Sequence, residues 1–161
     1  MTTRGAQPVW RIAKHTAQYR ADDMTGGGAK MTGGRWNAKG RAVVYAATTV
    51  SLATLETLAH LGDNIAIRNA FLVRIDIPAT LWRRRVIVAP DELDITWKAE
   101  PPGSTSITFG NAWLAKTDSP VLLVPSVIVP EEHNVLINPA HPAVAKVNAQ
   151  VVRQYVYDPR L

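Results

Sequence analysis

The chain has 161 residues with a formal net charge of +5, of which 47% are hydrophobic and 19% charged. This length is typical of one domain with a substantial core, and the composition excludes a disordered chain. The chain has no cysteine, and its four histidines form no close pair or HExxH motif, so we expect neither disulfides nor a metal centre.

The charge and hydropathy of the chain indicate which classes of binding partner to expect. Its basic residues would suit nucleic acid, an anionic dinucleotide or an acidic protein. They are dispersed apart from Arg83-Arg84-Arg85, and the common DNA- and RNA-binding signatures are missing, so we expect no direct nucleic-acid binding. No apolar run is long enough to span a bilayer, and the first residues lack the apolar segment of a secretory signal. We therefore expect a cytoplasmic protein without membrane contact.

The apolar pattern, taken in chain order, predicts one α+β domain with mostly antiparallel strands. A short strand at residues 9–13 precedes a glycine-rich stretch, 19–40, that has no period and predicts a long loop. A strand at 42–46 leads into a helix at 51–61, with Ser51 as candidate N-cap and Leu52, Leu55 and Ala59 as its apolar stripe. Further strands are predicted at residues 71–77, 86–88, 121–124, 127–129 and 151–157.

The glycine-rich segment 26–37 is the most informative motif. It joins several glycines to Arg35, Trp36 and Asn37. Glycines let the backbone approach a ligand closely, and an arginine offers a fixed fork of donors to phosphate oxygens. A glycine cluster alone is more often a flexible loop, but this combination predicts a phosphate-bearing ligand.

Five segments in a fixed order resemble the RES domain family, which is named for an arginine, a glutamate and a serine. The segments are residues 26–37, 43–47, 51–61, 124–126 and 136–142. The matching residues are Arg35, Glu56 and Ser126, with Tyr45 as a fourth. The resemblance runs from Trp10 to the end of the chain, so we expect residues 1–161 to form a single RES domain.

The resemblance implies a fold related to ADP-ribosyltransferase toxins and a role as the toxin of a bacterial toxin–antitoxin pair that acts on NAD. It implies a cognate antitoxin of the Xre type that covers the active site. Homo-oligomerisation within such a complex stays open. The expected activity is cleavage of the nicotinamide–ribose bond, which depletes NAD, with phosphate or water as acceptor. The alternatives are a mono-ADP-ribosyltransferase with a protein target and a non-catalytic nucleic-acid-binding module.

The same resemblance implies that Glu56, Arg35, Tyr45 and Ser126 are catalytic. Glu56 would hold the ribose hydroxyls and stabilise positive charge on the ribose carbon, or act as a general base. Tyr45 would stack on the cationic nicotinamide, and Ser126 would orient Glu56 or the substrate. Without the resemblance, Glu56 would instead pair with His60, Tyr45 would be a core aromatic, and Ser126 would bond only to backbone.

A second group is expected to contact NAD, with Arg35 reaching its pyrophosphate or a phosphate co-substrate. From the residues alone, Trp36 favours packing, Asn37 favours fixing the loop, and Lys30 is undecided. The expected NAD-binding residues are Arg11, Lys30, Gly34, Trp36, Asn37 and Asn138.

Overall fold

The computed structural model describes residues 5–61 and 69–161, and its seven strands form one sheet in the order β4-β5-β6-β2-β1-β3-β7. Strands β4 and β5 are parallel, and every other neighbouring pair is antiparallel. The predicted α+β class with mostly antiparallel strands is confirmed. The strands are β1 (Gln7–Lys14), β2 (Val44–Ala47), β3 (Ala70–Ile77), β4 (Val86–Ile87), β5 (Val121–Pro125), β6 (His133–Ile137) and β7 (Asn148–Gln154).

Helices cover both faces of the sheet. The helices are α1 (Gly27–Thr32), α2 (Val50–Leu61), α3 (Ala79–Trp82) and α4 (Ser104–Lys116), and 3-10 segments lie at Pro90–Glu92, Ile95–Lys98 and Pro142–Lys146. Because side chains alternate along a strand, Val9 of β1 joins the core under α3, whereas its neighbour Trp10 packs against α2. Helix α4, through Trp113 and Leu114, packs on the same face together with Trp36 and Trp97. No helix within the described ranges is long and apolar enough to cross a membrane.

Helix α2 begins one residue before the predicted start and buries a different stripe. The side chain of Thr49 accepts a hydrogen bond from the backbone N–H of Leu52 at 3.0 Å, so Thr49, not Ser51, is the cap. Leu52 and Ala53 pack on the sheet, whereas Leu55 is 39% exposed. Residues four apart share a helix face, so the buried Leu52 directs Glu56 towards the sheet.

The predicted strand at 127–129 is wrong. Strand β5 ends at Pro125, and residues 126–132 form a loop. Ser126 Oγ accepts hydrogen bonds from the backbone N–H groups of Ile128 and Val129, each at 3.1 Å. A side chain that takes these donors removes them from a strand ladder, so the β-branched residues of this stretch do not extend the sheet.

Other differences concern elements that local pattern describes poorly. The predicted loop 19–40 contains the short helix α1, strand β7 ends before the predicted residues 155–157, and the strand β6 and the helix α4 were not predicted. Helix α4 approaches the glycine-rich segment closely at Gly110, where a Cβ atom would lie 1.7 Å from the backbone oxygen of Trp36. Glycine at this position therefore lets α4 hold the loop against the sheet.

Candidate functional site

The carboxylate of Glu56 is held in place by two donors from distant parts of the chain. Glu56 Oε1 accepts hydrogen bonds from Ser126 Oγ and from Asn134 Nδ2, both at 2.7 Å. Hydrogen bonds to an ionised acceptor are short and strong, so two of them fix this side chain. Both fall on Oε1, which leaves Oε2 of the half-exposed Glu56 without a protein donor among the described residues. The direction of the second carboxylate oxygen is thus defined as well.

The hydroxyl group of Ser126 can donate only one hydrogen bond, and its acceptor is the Glu56 carboxylate. Its fully buried hydroxyl accepts from two backbone N–H groups of the loop and donates to Glu56. The hydroxyl is therefore hydrogen-bonded to the carboxylate, and its expected role in orienting Glu56 stays a prediction. His60, which was the other candidate partner of Glu56, bonds instead to the backbone carbonyl of Glu56 at 3.0 Å.

Asn134 was not predicted as a site residue. It lies in β6 opposite Ala47 of β2 and Val124 of β5, which places its side chain on the face that α2 covers. The only sequence signal is a polar pair, His133-Asn134, at the start of the apolar run 135–137. Its partner Glu56 is 78 residues away in sequence, so local pattern could not identify the contact.

Tyr45 lies on the same face of the sheet, next to this centre. It pairs with Leu136 in β6, two residues along each strand from the Ala47 and Asn134 pair, or about 7 Å. Its hydroxyl donates to Asn37 Oδ1 at 2.6 Å and accepts from the backbone N–H of Trp36 at 3.0 Å. Burial raises the pKa of the Tyr45 hydroxyl, an effect that the Trp36 N–H and the charge of Arg35 oppose. The hydroxyl thus holds the glycine-rich loop, and Arg35 lies nearby.

Arg35 connects this loop to the segment after the second 3-10 turn. Its Nη1 donates to the backbone oxygens of Trp97 at 3.0 Å and Ala99 at 2.8 Å, and its Nη2 pairs with Glu100 Oε2 at 2.7 Å. The Arg35 side chain is 16% exposed. A guanidinium has five N–H donors, so the three bonds to described residues leave two donors unused.

Trp36, Asn37 and Gly34 hold the loop together. Trp36 is buried and stacks on Trp97, while Asn37 is fully buried and donates to the backbone oxygens of Ala29 and Arg41, each at 2.9 Å. A Cβ atom at Gly34 would lie 2.9 Å from the Tyr45 hydroxyl oxygen, so only glycine permits this approach. The structure gives all three residues packing and hydrogen-bonding roles in the loop.

Arg11, Lys30 and Asn138 do not lie at the Glu56 centre. Arg11 follows Trp10 in β1 and therefore points to the opposite face of the sheet, where burial lowers the pKa of its guanidinium and the nearby Asp23 raises it. Lys30 and Asn138 line a cavity of about 650 Å³ whose walls do not include Glu56. Among residues 5–61 and 69–161, no group of three His, Asp or Glu side chains could hold a metal ion.

Two proteins with sequences similar to this chain are named as toxins. A Sphingobium sp. (strain YBL2) protein named "Prs ADP-ribosylating toxin" is 49% identical over 152 residues, which cover 94% of each chain. A protein named "Toxin Res" from Yersinia enterocolitica is 38% identical over 145 residues, or 89% of this chain and 93% of that protein. The similarity therefore extends over nearly the full length of both relatives.

A solved structure and a family model agree with these relatives. The fold is similar to a chain of the Mycobacterium tuberculosis MbcT–MbcA toxin–antitoxin complex, with a TM-score of 0.63, 15% identity, and coverage of 92% of this chain and 85% of that chain. At this identity the match concerns the fold. The family model described as the RES domain matches residues 8–159, which confirms the resemblance predicted from the sequence. The chain belongs to the RES domain family of toxins.

Proposed function

We propose that this protein consumes NAD by cleaving the bond between nicotinamide and ribose, as the toxin of a toxin–antitoxin pair. The observation that supports this most directly is the carboxylate of Glu56, fixed through Oε1 by Ser126 and Asn134 with Oε2 left for the substrate. The family match and the relatives named as toxins support the same assignment.

The chemistry suits a single oriented carboxylate. Nicotinamide leaves as a neutral molecule from a cationic pyridinium, so the leaving group needs no proton. Positive charge then develops on the anomeric carbon and ring oxygen of the ribose, and a fixed anion beside them stabilises that transition state. Because Ser126 and Asn134 already hold Glu56, little reorganisation is required as the charge forms.

Tyr45 and Arg35 are the proposed substrate contacts beside Glu56. The ring of Tyr45 lies on the same face of the sheet, where stacking on the nicotinamide cation would contribute about 0.5–2 kcal/mol. Arg35 lies close enough to influence the Tyr45 hydroxyl, and its bonds to residues 97–100 hold it in place. Its two remaining donors are assigned to the pyrophosphate.

Product analysis of NAD turnover tests this proposal. The purified chain is incubated with NAD, with and without inorganic phosphate, and nicotinamide and ADP-ribose species are followed by mass. We expect nicotinamide release together with either ADP-ribose 1″-phosphate or ADP-ribose, which identifies the acceptor. Glu56→Gln should abolish release, whereas Glu131→Gln, an exposed glutamate in the loop after β5, should retain it. Undiminished turnover by the Glu56→Gln protein would refute the proposal.

A second candidate function differs only in the acceptor. The Sphingobium relative is named as a toxin that ADP-ribosylates Prs, which favours transfer of ADP-ribose to a protein side chain. Both reactions share the cleavage step at Glu56. The test is incubation of the chain with labelled NAD and purified Prs, the protein in that relative's name. Transfer of one labelled ADP-ribose to each Prs molecule, with little free ADP-ribose, would show that the chain is a transferase.

The proposed partner is an antitoxin of the Xre type that covers the Glu56 centre, and the proposed location is the cytoplasm, where NAD is available. The solved structure with the similar fold is a toxin in complex with its antitoxin. Co-expression with the product of the neighbouring reading frame should give a complex in which NAD turnover is suppressed.

A further inference from the structure

A large cavity lies beside the glycine-rich loop, away from Tyr45, and its charged lining residues are all positive. It is an open cleft of about 650 Å³ between the loop 38–42, helix α4 and the turn after β6. This volume lies within the range of about 300–1,000 Å³ for small-molecule sites. Its walls carry Lys30, Lys39 and Arg41, and no carboxylate is among the described residues that line it.

The charges of this cavity point to an anionic ligand. Three cationic side chains around one concave surface repel one another and raise the positive potential inside it. All three residues are exposed, so they remain available to a ligand. The amide side chain of Asn111 adds a polar group to the wall, and its Oδ1 is fixed by the backbone N–H of Ala38 at 3.1 Å.

The backbone of the cavity wall is held in place without a ligand. Asn37 donates to the backbone oxygen of Arg41 at 2.9 Å, and the N–H of Gly40 donates to the oxygen of Lys30 at 2.7 Å. On the opposite wall, Asn138 donates to the oxygen of Leu114 at 3.0 Å. A preformed wall reduces the ordering cost of binding, so only the cationic side chains need to adjust.

The cavity is separate from the Glu56 centre. Asn134, which bonds to Glu56, lies near the start of β6, whereas Asn138 follows its end. Four residues of strand span about 13 Å. Neither Glu56, Ser126 nor Tyr45 lines the cavity, and the loop with Trp36 and Asn37 packs next to Tyr45.

We propose that this cavity is a second ligand site, which binds the pyrophosphate group of a nucleotide independently of the Glu56 carboxylate. Two phosphates present enough charge to engage Lys39, Arg41 and Lys30 together, and the volume accommodates an attached nucleoside. The proposal does not depend on NAD turnover.

Calorimetric titration at low ionic strength, where screening is weakest, tests this site with three probes: inorganic pyrophosphate, ADP and orthophosphate. We expect pyrophosphate and ADP to bind more tightly than orthophosphate. Lys39→Gln and Arg41→Gln should each weaken ADP binding about tenfold, the effect of losing one charge-assisted hydrogen bond. The matched control Arg83→Gln, an exposed cation outside the cavity, should not.

Glu56→Gln should bind ADP like the wild-type protein, and so should a folded Arg35→Gln protein, which lacks the donors assigned to the pyrophosphate of NAD. The two variants together separate this site from the proposed catalytic centre. Competition by NAD in the Glu56→Gln protein distinguishes NAD from a separate nucleotide as the source of the pyrophosphate. The inference is overturned if neither pyrophosphate nor ADP binds at millimolar concentration. Equal weakening in the Arg83→Gln protein, or loss of ADP binding in the Glu56→Gln or Arg35→Gln protein, overturns it as well.

Discussion

Replacement of Asn134 by alanine tests whether the hydrogen bonds to Glu56 matter for catalysis. The change removes one of the two 2.7 Å bonds on Oε1. Hydrogen bonds to charged groups contribute about 1.5–3 kcal/mol, and water can partly replace this one because Glu56 is half-exposed. We therefore expect a loss of about 1.5–2 kcal/mol, equivalent to a roughly 10- to 30-fold lower rate.

The loss should fall on kcat and not on KM. The carboxylate stabilises positive charge on the ribose, and this charge develops only in the transition state. The assay is steady-state release of nicotinamide from NAD, with thermal unfolding measured alongside. Asn148→Ala, on the exposed edge strand β7, is the matched control and should retain full activity. A folded Asn134→Ala protein with wild-type kcat would refute the proposed role of the hydrogen bond from Asn134 to Glu56.

Two further predictions concern the loop that holds Tyr45. Gly110→Ala places a Cβ atom 1.7 Å from the Trp36 oxygen, so we expect a net loss of about 2 kcal/mol and a Tm lower by roughly 4–8 °C. Gly28→Ala, in α1 with open space around it, should leave the Tm unchanged or slightly raised; equal Tm values for both variants would contradict the contact. Because the folded pKa of Tyr45 is raised, its stabilising contribution is complete below its ordinary pKa of about 10 and is lost at more alkaline pH. Denaturant titrations should show stability falling more steeply above that pH in the wild-type protein than in Tyr45→Phe, and parallel slopes would argue against a buried hydroxyl.

The sequence predicted where β3 and α2 lie, but not which of their residues are buried. Strand β3 was predicted at residues 71–77 and spans Ala70–Ile77, yet its burial does not alternate, because Leu72 and Asp76 are buried as well. Helix α2 was placed to within one residue but buries a different stripe. Helix α4 escaped prediction because it contains Thr105, Ile107 and Gly110, residues of low helix propensity, and its stability comes from packing on the sheet. The apolar run at 127–129 was misassigned because Ser126, not a neighbouring strand, takes its backbone donors.

The site was predicted through family resemblance, not through local pattern. The residue order of Glu56 and Ser126 identified the family, and the structure brings the two side chains into contact. No periodicity in the sequence links Asn134 to Glu56, since that contact depends on how β6 lies beside β2. Contacts between distant segments follow from topology, which a single sequence does not specify.

The glycine-rich motif has a structural role in addition to the phosphate contact that its composition predicts. Its contact with phosphate stays a prediction. The segment is a packed wall: Arg35 holds residues 97–100, Trp36 touches α4 at Gly110, and Asn37 bonds to Tyr45. Each of these contacts needs a close approach of backbone, and glycine permits it at two points, Gly34 and Gly110. The segment therefore fixes the position of Tyr45 on one side and the wall of the cationic cavity on the other. A side chain at Gly34 would therefore displace the Tyr45 hydroxyl, and one at Gly110 would displace the Trp36 backbone beside it.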